Sequence, residues 1–184
     1  MGASKVTASK PKIAGGIYAA PIGTPLPEDA ASALSDAFKN LGYVSNEGIT
    51  NSNGASSTDI NSWGGAVVLT VPGVKSDSFK LKLLETLNED VLKTVHGEDN
   101  VEGTLDAGLT IKVNNTAVGA KVWVIDMILR DGILKRIVIP DGTISEVGDV
   151  VYKDDDAVCY DITIKAVPDS DGNTHYEHIK KGAA

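Results

Sequence analysis

Two apolar runs, Lys121–Leu129 and residues 133–139, meet across Arg130-Asp131-Gly132, and this arrangement constrains the chain most. Asp-Gly between two strand-forming runs is a hairpin signal, because both central residues tolerate the backbone angles of a tight turn. Other segments repeat the period-two pattern of half-buried strands. Phe79, Leu81 and Leu83 share one face, with Ser78, Lys80 and Lys82 on the other. Residues 109–113 alternate before the turn at Asn114-Asn115. Residues 147–153 and 157–167 predict another pair around Asp154-Asp155-Asp156, and a last strand over 174–179 follows a turn at 168–173. Residues 13–20 read as a short strand interrupted by Gly15 and Gly16, and residues 66–71 as a buried strand between Gly65 and Pro72. Many short strands with frequent turn signals predict a mainly β chain, an antiparallel β-sandwich or barrel with a flanking α-helix.

Two helices are expected. The first follows the turns at Pro21, Pro25 and Pro27: Glu28 and Asp29 favour its start, Ala30, Ala31, Ala33, Leu34, Ala37 and Phe38 make its apolar side, and Gly42 stops it. The second spans about 87–96, where Thr86-Leu87-Asn88-Glu89 fits a capping box, Val91, Leu92 and Val95 form the stripe, and Gly97 ends it. Residues 1–12 read as a flexible arm and 13–184 as one domain.

Between Gly42 and Val71 the chain makes a long excursion whose first half carries few large apolar residues. A loop of that length in a small domain is normally functional or disordered. It ends at Ser62-Trp63-Gly64-Gly65, so it reads as a polar loop over 46–65 that reaches a neighbour. Trp63 at its foot is either a domain anchor or an interface residue, whereas Trp123, in a cleanly alternating strand, belongs to the core.

A formal net charge of −8 argues against holding nucleic acid through a basic face, and is compatible with DNA passing nearby without adhering. The single Cys159 has no partner for an internal disulfide. No apolar run reaches the roughly twenty residues of a membrane helix, so no membrane association is expected. The N-terminus has no apolar segment of the secretory type, and Val6 stands where a myristoylation signal needs Ser or Thr. A cytoplasmic origin is the simplest expectation.

Chemistry-bearing clusters read as ordinary structure. Asp169-Ser170-Asp171-Gly172-Asn173 opens like a calcium loop, but Lys180 occupies the position that needs a bidentate Glu, so a hairpin turn is expected. Asp154 to Asp156 read as a solvated turn. His175 and His178 fall on opposite faces of a strand, and His96 closes the second helix, where a cation suits the helix dipole. With no Cys-x-x-Cys, no Gly-rich phosphate loop and no Gly-x-Ser-x-Gly, the expectation is no metal, no cofactor and no enzyme activity.

Residues 37–49 (AFKNLGYVSNEGI), 58–65 (TDINSWGG), the strand 79–84 and residues 87–97 (LNEDVLKTVHG) together resemble the major tail tube proteins of long, non-contractile-tailed bacteriophages. The resemblance lies in the order of features, strongest from about residue 17 to 101, and the C-terminal third shares only strand layout. It implies β-sandwich subunits assembled as hexameric rings that stack into a tube, with the long loop reaching the adjacent ring. On that basis Asn46, Glu47, Ile49, Asn51, Asn53, Ser57, Asp59, Ile60 and Trp63 are candidate contacts between subunits, and Glu47 and Asp59 candidates for the lumen. Lys80 and Lys82 would oppose an acidic lumen if they pointed inward unpaired. The implied partners are further copies of the chain, a tape-measure protein, a tail terminator and distal tail proteins. DNA would pass through without sequence-specific binding, in a virion tail assembled in the host cytoplasm. Two other readings stand beside it: the inner tube of a contractile tail or injection apparatus, and a monomeric β-sandwich adhesion or carbohydrate-binding module.

Overall fold

The computed structural model describes residues 5–12 and 16–182. Along the chain lie β1 (Ser9–Pro11), β2 (Ile17–Pro21), β3 (Lys39–Asn40), β4 (Val44–Asn61) and β5 (Val67–Leu83). They are followed by α1 (Glu89–His96), β6 (Val101–Thr104), β7 (Gly108–Ile111), β8 (Lys121–Leu129), β9 (Ile133–Val147), β10 (Tyr160–Ala166) and β11 (Tyr176–Lys181). Nine strands form one antiparallel sheet with the path β3-β2-β8-β9-β10-β5-β4; β1 adds to β8, β11 adds to β9, and β6 pairs with β7 separately.

The sheet wraps on itself, as expected for a sandwich or barrel. β3 and β4 stand at opposite ends of the path, yet only residues 41–43 separate them. The Leu41 N–H donates to the Ile17 carbonyl at 2.9 Å, and the Tyr43 carbonyl accepts from Leu84 N–H at 3.0 Å, so one short link touches both ends. β9 serves both layers: residues 133–138 pair with β11 and residues 142–147 with β10. Between them Pro140 falls in a bulge, where Lys121 and Trp123 pair with Gly142 and Ile139.

Strand alternation fills the interior. Ile17 and Ala19, Phe79, Leu81 and Leu83, Trp123 and Ile125, Ile137 and Ile139, and Ile162 and Ile164 join in one cluster, with Val91, Leu92 and Val95 of α1. Trp123 is buried as its pattern predicts, and its indole N–H donates to the Gly142 carbonyl at 2.9 Å. A Cβ on Gly142 would lie 2.7 Å from the indole and 2.9 Å from Ile164, so only glycine fits there. The Asp131 turn conforms too, with φ 61 at Asp131.

The outer face of β2, β8 and β9 is also apolar, through Ala20, Val122, Val124 and Val138. Residues 24–38 cover it, contributing Phe38 and Leu34, but not as the expected helix. The reason is a buried ion pair. Arg136 Nε and Nη2 donate to the Asp126 carboxylate at 2.6 and 2.8 Å, and Nη1 donates to the carbonyls of Asp29 and Ser32, each at 3.0 Å. Those carbonyls are spent on the guanidinium instead of on helical bonds. Asp29 still behaves as a cap, accepting from the amides of Ala31 and Ser32. The Ser32 amide, Lys180 and the Ala31 amide hold its carboxyl far below the usual range.

Other expectations need correction. Ser9–Pro11, inside the stretch read as a free arm, pairs with Met127 to Leu129 of β8; residues 1–4 and 13–15 lie outside the described residues. α1 begins at Glu89 and is capped by the Asn88 side chain on Asp90 N–H, so the Thr86 box is not the start. Residues 148–153 are not a strand: β9 itself runs on to Val147 and pairs with β10, leaving a long connection whose Lys153 pairs locally with Asp155 and Asp156. The 168–173 turn is present, with Asp169 accepting from the amides of Asp171 and Asn173. It joins two strands that both pair with β9 rather than with each other.

Arg136→Ala is expected to lower unfolding free energy by about 3–5 kcal/mol, the effect of stranding one partner of a buried pair. Urea denaturation reads it; a loss below about 1 kcal/mol would remove the ion pair from its structural role.

Candidate functional site

The segment read as a loop is a β-ribbon. β4 has 18 residues and β5 has 17, and they pair from Val44↔Leu83 out to Asn61↔Val67. Every residue from 50 to 76 is exposed, so the ribbon projects from the body. Beyond Asn53↔Asp77 it reaches roughly 25–30 Å, at the rise of an extended strand. Its tip is the three-residue loop Trp63-Gly64-Gly65. The Ser62 N–H donates to the Ala66 carbonyl and the Gly65 N–H to the Ser62 carbonyl, each at 2.8 Å. Gly65 sits at φ 84, the left-handed position that closes such a hairpin.

The base of the ribbon is bolted to the body. Asp77, only 2% exposed, accepts from Asn51 Nδ2 at 2.7 Å and from the Thr174 hydroxyl and His175 Nδ1 at 2.5 Å each. Asn51 belongs to β4, Asp77 to β5, and the other two precede β11, so one carboxylate ties both arm strands to the β9–β11 layer. The His175 ring also meets Phe79 edge-on, with centroids 5.2 Å apart. Burial alone would raise the Asp77 pKa; hydrogen bonds from Thr174, Asn51 and His175 outweigh it and lower it. Nothing local in the sequence joins Asp77 to residues about a hundred positions later, and this cluster was missed there.

Further out the ribbon buries nothing. Residues 66–71, expected as a buried strand, are exposed: Val68 is 62% and Leu69 56% exposed, and Trp63 at the tip is 108%. Trp63 therefore does not anchor the domain. Of the other candidates, Ile49 packs against the interior cluster and Asn51 is held by Asp77. Asn46 and Glu47 lie in the irregular stretch between Val44 and Ile49, and Glu47 accepts from Lys82 at 2.8 Å. Asn53, Ser57, Asp59 and Ile60 stand on the exposed ribbon, where Asp59 accepts from the Thr70 hydroxyl at 2.6 Å. Lys80 and Lys82 are both paired, with Asp161 at 3.4 Å and with Glu47.

The histidines do not converge. His175 serves the Asp77 cluster, and His178 stacks on Tyr176. His96, in the last turn of α1, lies 3.3 Å from the Tyr160 hydroxyl; burial pushes its pKa down, against the dipole effect expected there. Among the described residues, no three His, Cys, Asp or Glu side chains are grouped to hold a metal ion.

A wrapped β body carrying a preformed ribbon with an exposed apolar surface is the build of a structural subunit that completes itself in an assembly. A scan against protein families matches "Phage tail tube protein" over residues 6–184, and the chain belongs to that family. This is a family of structural proteins of the virion tail, which self-assemble into a tube. A search among curated proteins finds no match.

The Asp77 cluster generates a pH dependence. With its native pKa below the unfolded value, Asp77 stabilises the fold above the unfolded pKa and loses that contribution as pH falls through the native one. Asp77→Asn is expected to flatten the acid limb of stability, read by urea midpoints at stepped pH below 5. An unchanged acid limb would exclude Asp77 as its source.

Proposed function

We propose that this chain polymerises as stacked hexameric rings to form the tube of a long, non-contractile phage tail, the conduit through which genome DNA leaves for the host. The observation that carries this reading is the ribbon over residues 50 to 76, fully exposed and rich in large apolar residues at its distal end. A monomer that kept this surface in water would be an aggregation hazard; a ring stack gives it a place. The ribbon projects roughly 25–30 Å beyond Asn53↔Asp77, and this is the reach by which it would contact a neighbouring ring. Tape-measure, terminator and distal tail proteins are the partners this assembly calls for, and the host cytoplasm is where it forms.

The conduit role draws support from charge. A net charge of −8 disfavours phosphate adhering to the wall. Glu47 and Asp59 remain the lumen candidates. Lys80 is offset by Asp161 and Lys82 by Glu47 itself, so the Glu47–Lys82 pair adds no net charge to the wall.

Negative-stain microscopy of concentrated protein tests the reading: hollow tubes or stacked rings are expected. Replacing residues 55–75 by Asn-Gly joins the paired positions Gly54 and Ser76 and trims the arm without entering the body. That variant is expected to unfold at the wild-type temperature and to form no tubes. A wild-type protein that stays monomeric under all assembly conditions would overturn the proposal.

A further inference from the structure

The ribbon has two unlike faces, and a bulge decides which is which. Along β4 the odd positions Asn51, Asn53, Ala55, Ser57 and Asp59 share one face without interruption. At the base their partners are Phe79, Asp77 and Lys75, so this face continues the interior side of β5. Beyond Ala55↔Lys75 the next pair on that face is Ser57↔Pro72, which leaves two residues of β5, Gly73 and Val74, opposite Ser56 alone. The fit there is close, since a Cβ on Gly73 would lie 2.2 Å from Ser56 Oγ.

The extra residue shifts the phase of β5. Followed without a break, Leu69 and Val71 would lie on the face of Phe79 and Leu81. With the bulge, Leu69 pairs with Ile60 and Val71 with Thr58, on the opposite face, while Asp59↔Thr70 and Ser57↔Pro72 occupy the interior-derived face. Between Ser57↔Pro72 and Ile60↔Leu69 the ribbon thus carries Ile60, Leu69 and Val71 on one side and Ser57, Asp59 and Thr70 on the other; a second register shift follows before Asn61↔Val67.

From this geometry we infer that the Ile60–Leu69–Val71 face of the arm docks on a second copy of this chain, while the Ser57–Asp59–Thr70 face stays toward water. The inference rests on the tube reading and specifies which side of the arm makes the contact. Ile60, Leu69 and Val71 are 48%, 56% and 42% exposed, and Val74, beside the bulge, is 88% exposed, so this face offers large apolar side chains that the body does not cover. The occupant is another copy because the family assembles by self-association and because this exposed apolar face continues from the same ribbon that leaves the body.

Four single variants of the full chain test it, each adding the same charge: Leu69→Glu and Val71→Glu on the apolar face, Thr70→Glu and Ser57→Glu on the polar face. All four positions are exposed, so monomer circular dichroism should match wild type. Thr70→Glu also loses the hydrogen bond to Asp59 and faces that carboxylate, so Ser57→Glu is the cleaner polar-face control and the melting of Thr70→Glu reports any local cost. Leu69→Glu and Val71→Glu are expected to raise the critical concentration for polymerisation by about tenfold or more, as loss of an interface anchor does. Thr70→Glu, which lies between them in sequence, and Ser57→Glu are expected to leave it within about twofold of wild type. If the polar-face variants abolish tubes and the apolar-face variants do not, the docking side is wrong while the tube reading stands. If wild type forms no tubes, the tube reading itself fails.

Discussion

The buried pair of Arg136 and Asp126 lets a sheet that is apolar on both sides exist without a helix on its outer face. Val122, Val124 and Val138 need a cover, and the covering chain is irregular, with carbonyls that burial would leave unpaired. Arg136 supplies the missing donors: one side of the guanidinium meets the carboxylate, the other meets the carbonyls of Asp29 and Ser32. Hydrophobic burial drives residues 24–38 onto the sheet, and the ion pair determines the backbone shape they take there. Lys12, 3.8 Å from Asp126, brings the end of β1 to the same point.

The arm obeys a different economy. An isolated two-stranded ribbon is marginal in water, so this one depends on its base. Continuation of β5 into the body through the β10 ladder, and the three donors on Asp77, provide that base. A ribbon already hydrogen-bonded along its length loses less freedom on docking than a disordered loop, which favours tighter association for the same area.

How much of this was legible depended on how local the cause was. The β8–β9 turn was legible because Asp131-Gly132 carries its own backbone preference, and Phe79, Leu81 and Leu83 because their alternation meets no irregularity. The apolar spacing of residues 28–38 promised a helix, but the competing donor, Arg136, arrives from a distant strand that no local pattern reveals. Residues 66–71 were read as buried because apolar character reports that something must cover a segment, not whether its own chain does so. The bulge at Gly73 and Val74 was invisible for the same reason as the Asp77 cluster: each is defined by a partner across the sheet, not by neighbours in sequence.

The continuity of β5 has a mechanical consequence. A pull on the Trp63 end directed along the ribbon is transmitted down β5 to the seven residues, Asp77 to Leu83, that pair with β10. Antiparallel ladder bonds lie across the strand direction, so this load reaches them in shear, all at once, rather than unzipping them singly. A tensile force that would peel a surface loop from its anchor is therefore shared across the middle of the sheet, and the subunit resists stretching along the arm more strongly than the modest energy of any one bond would indicate.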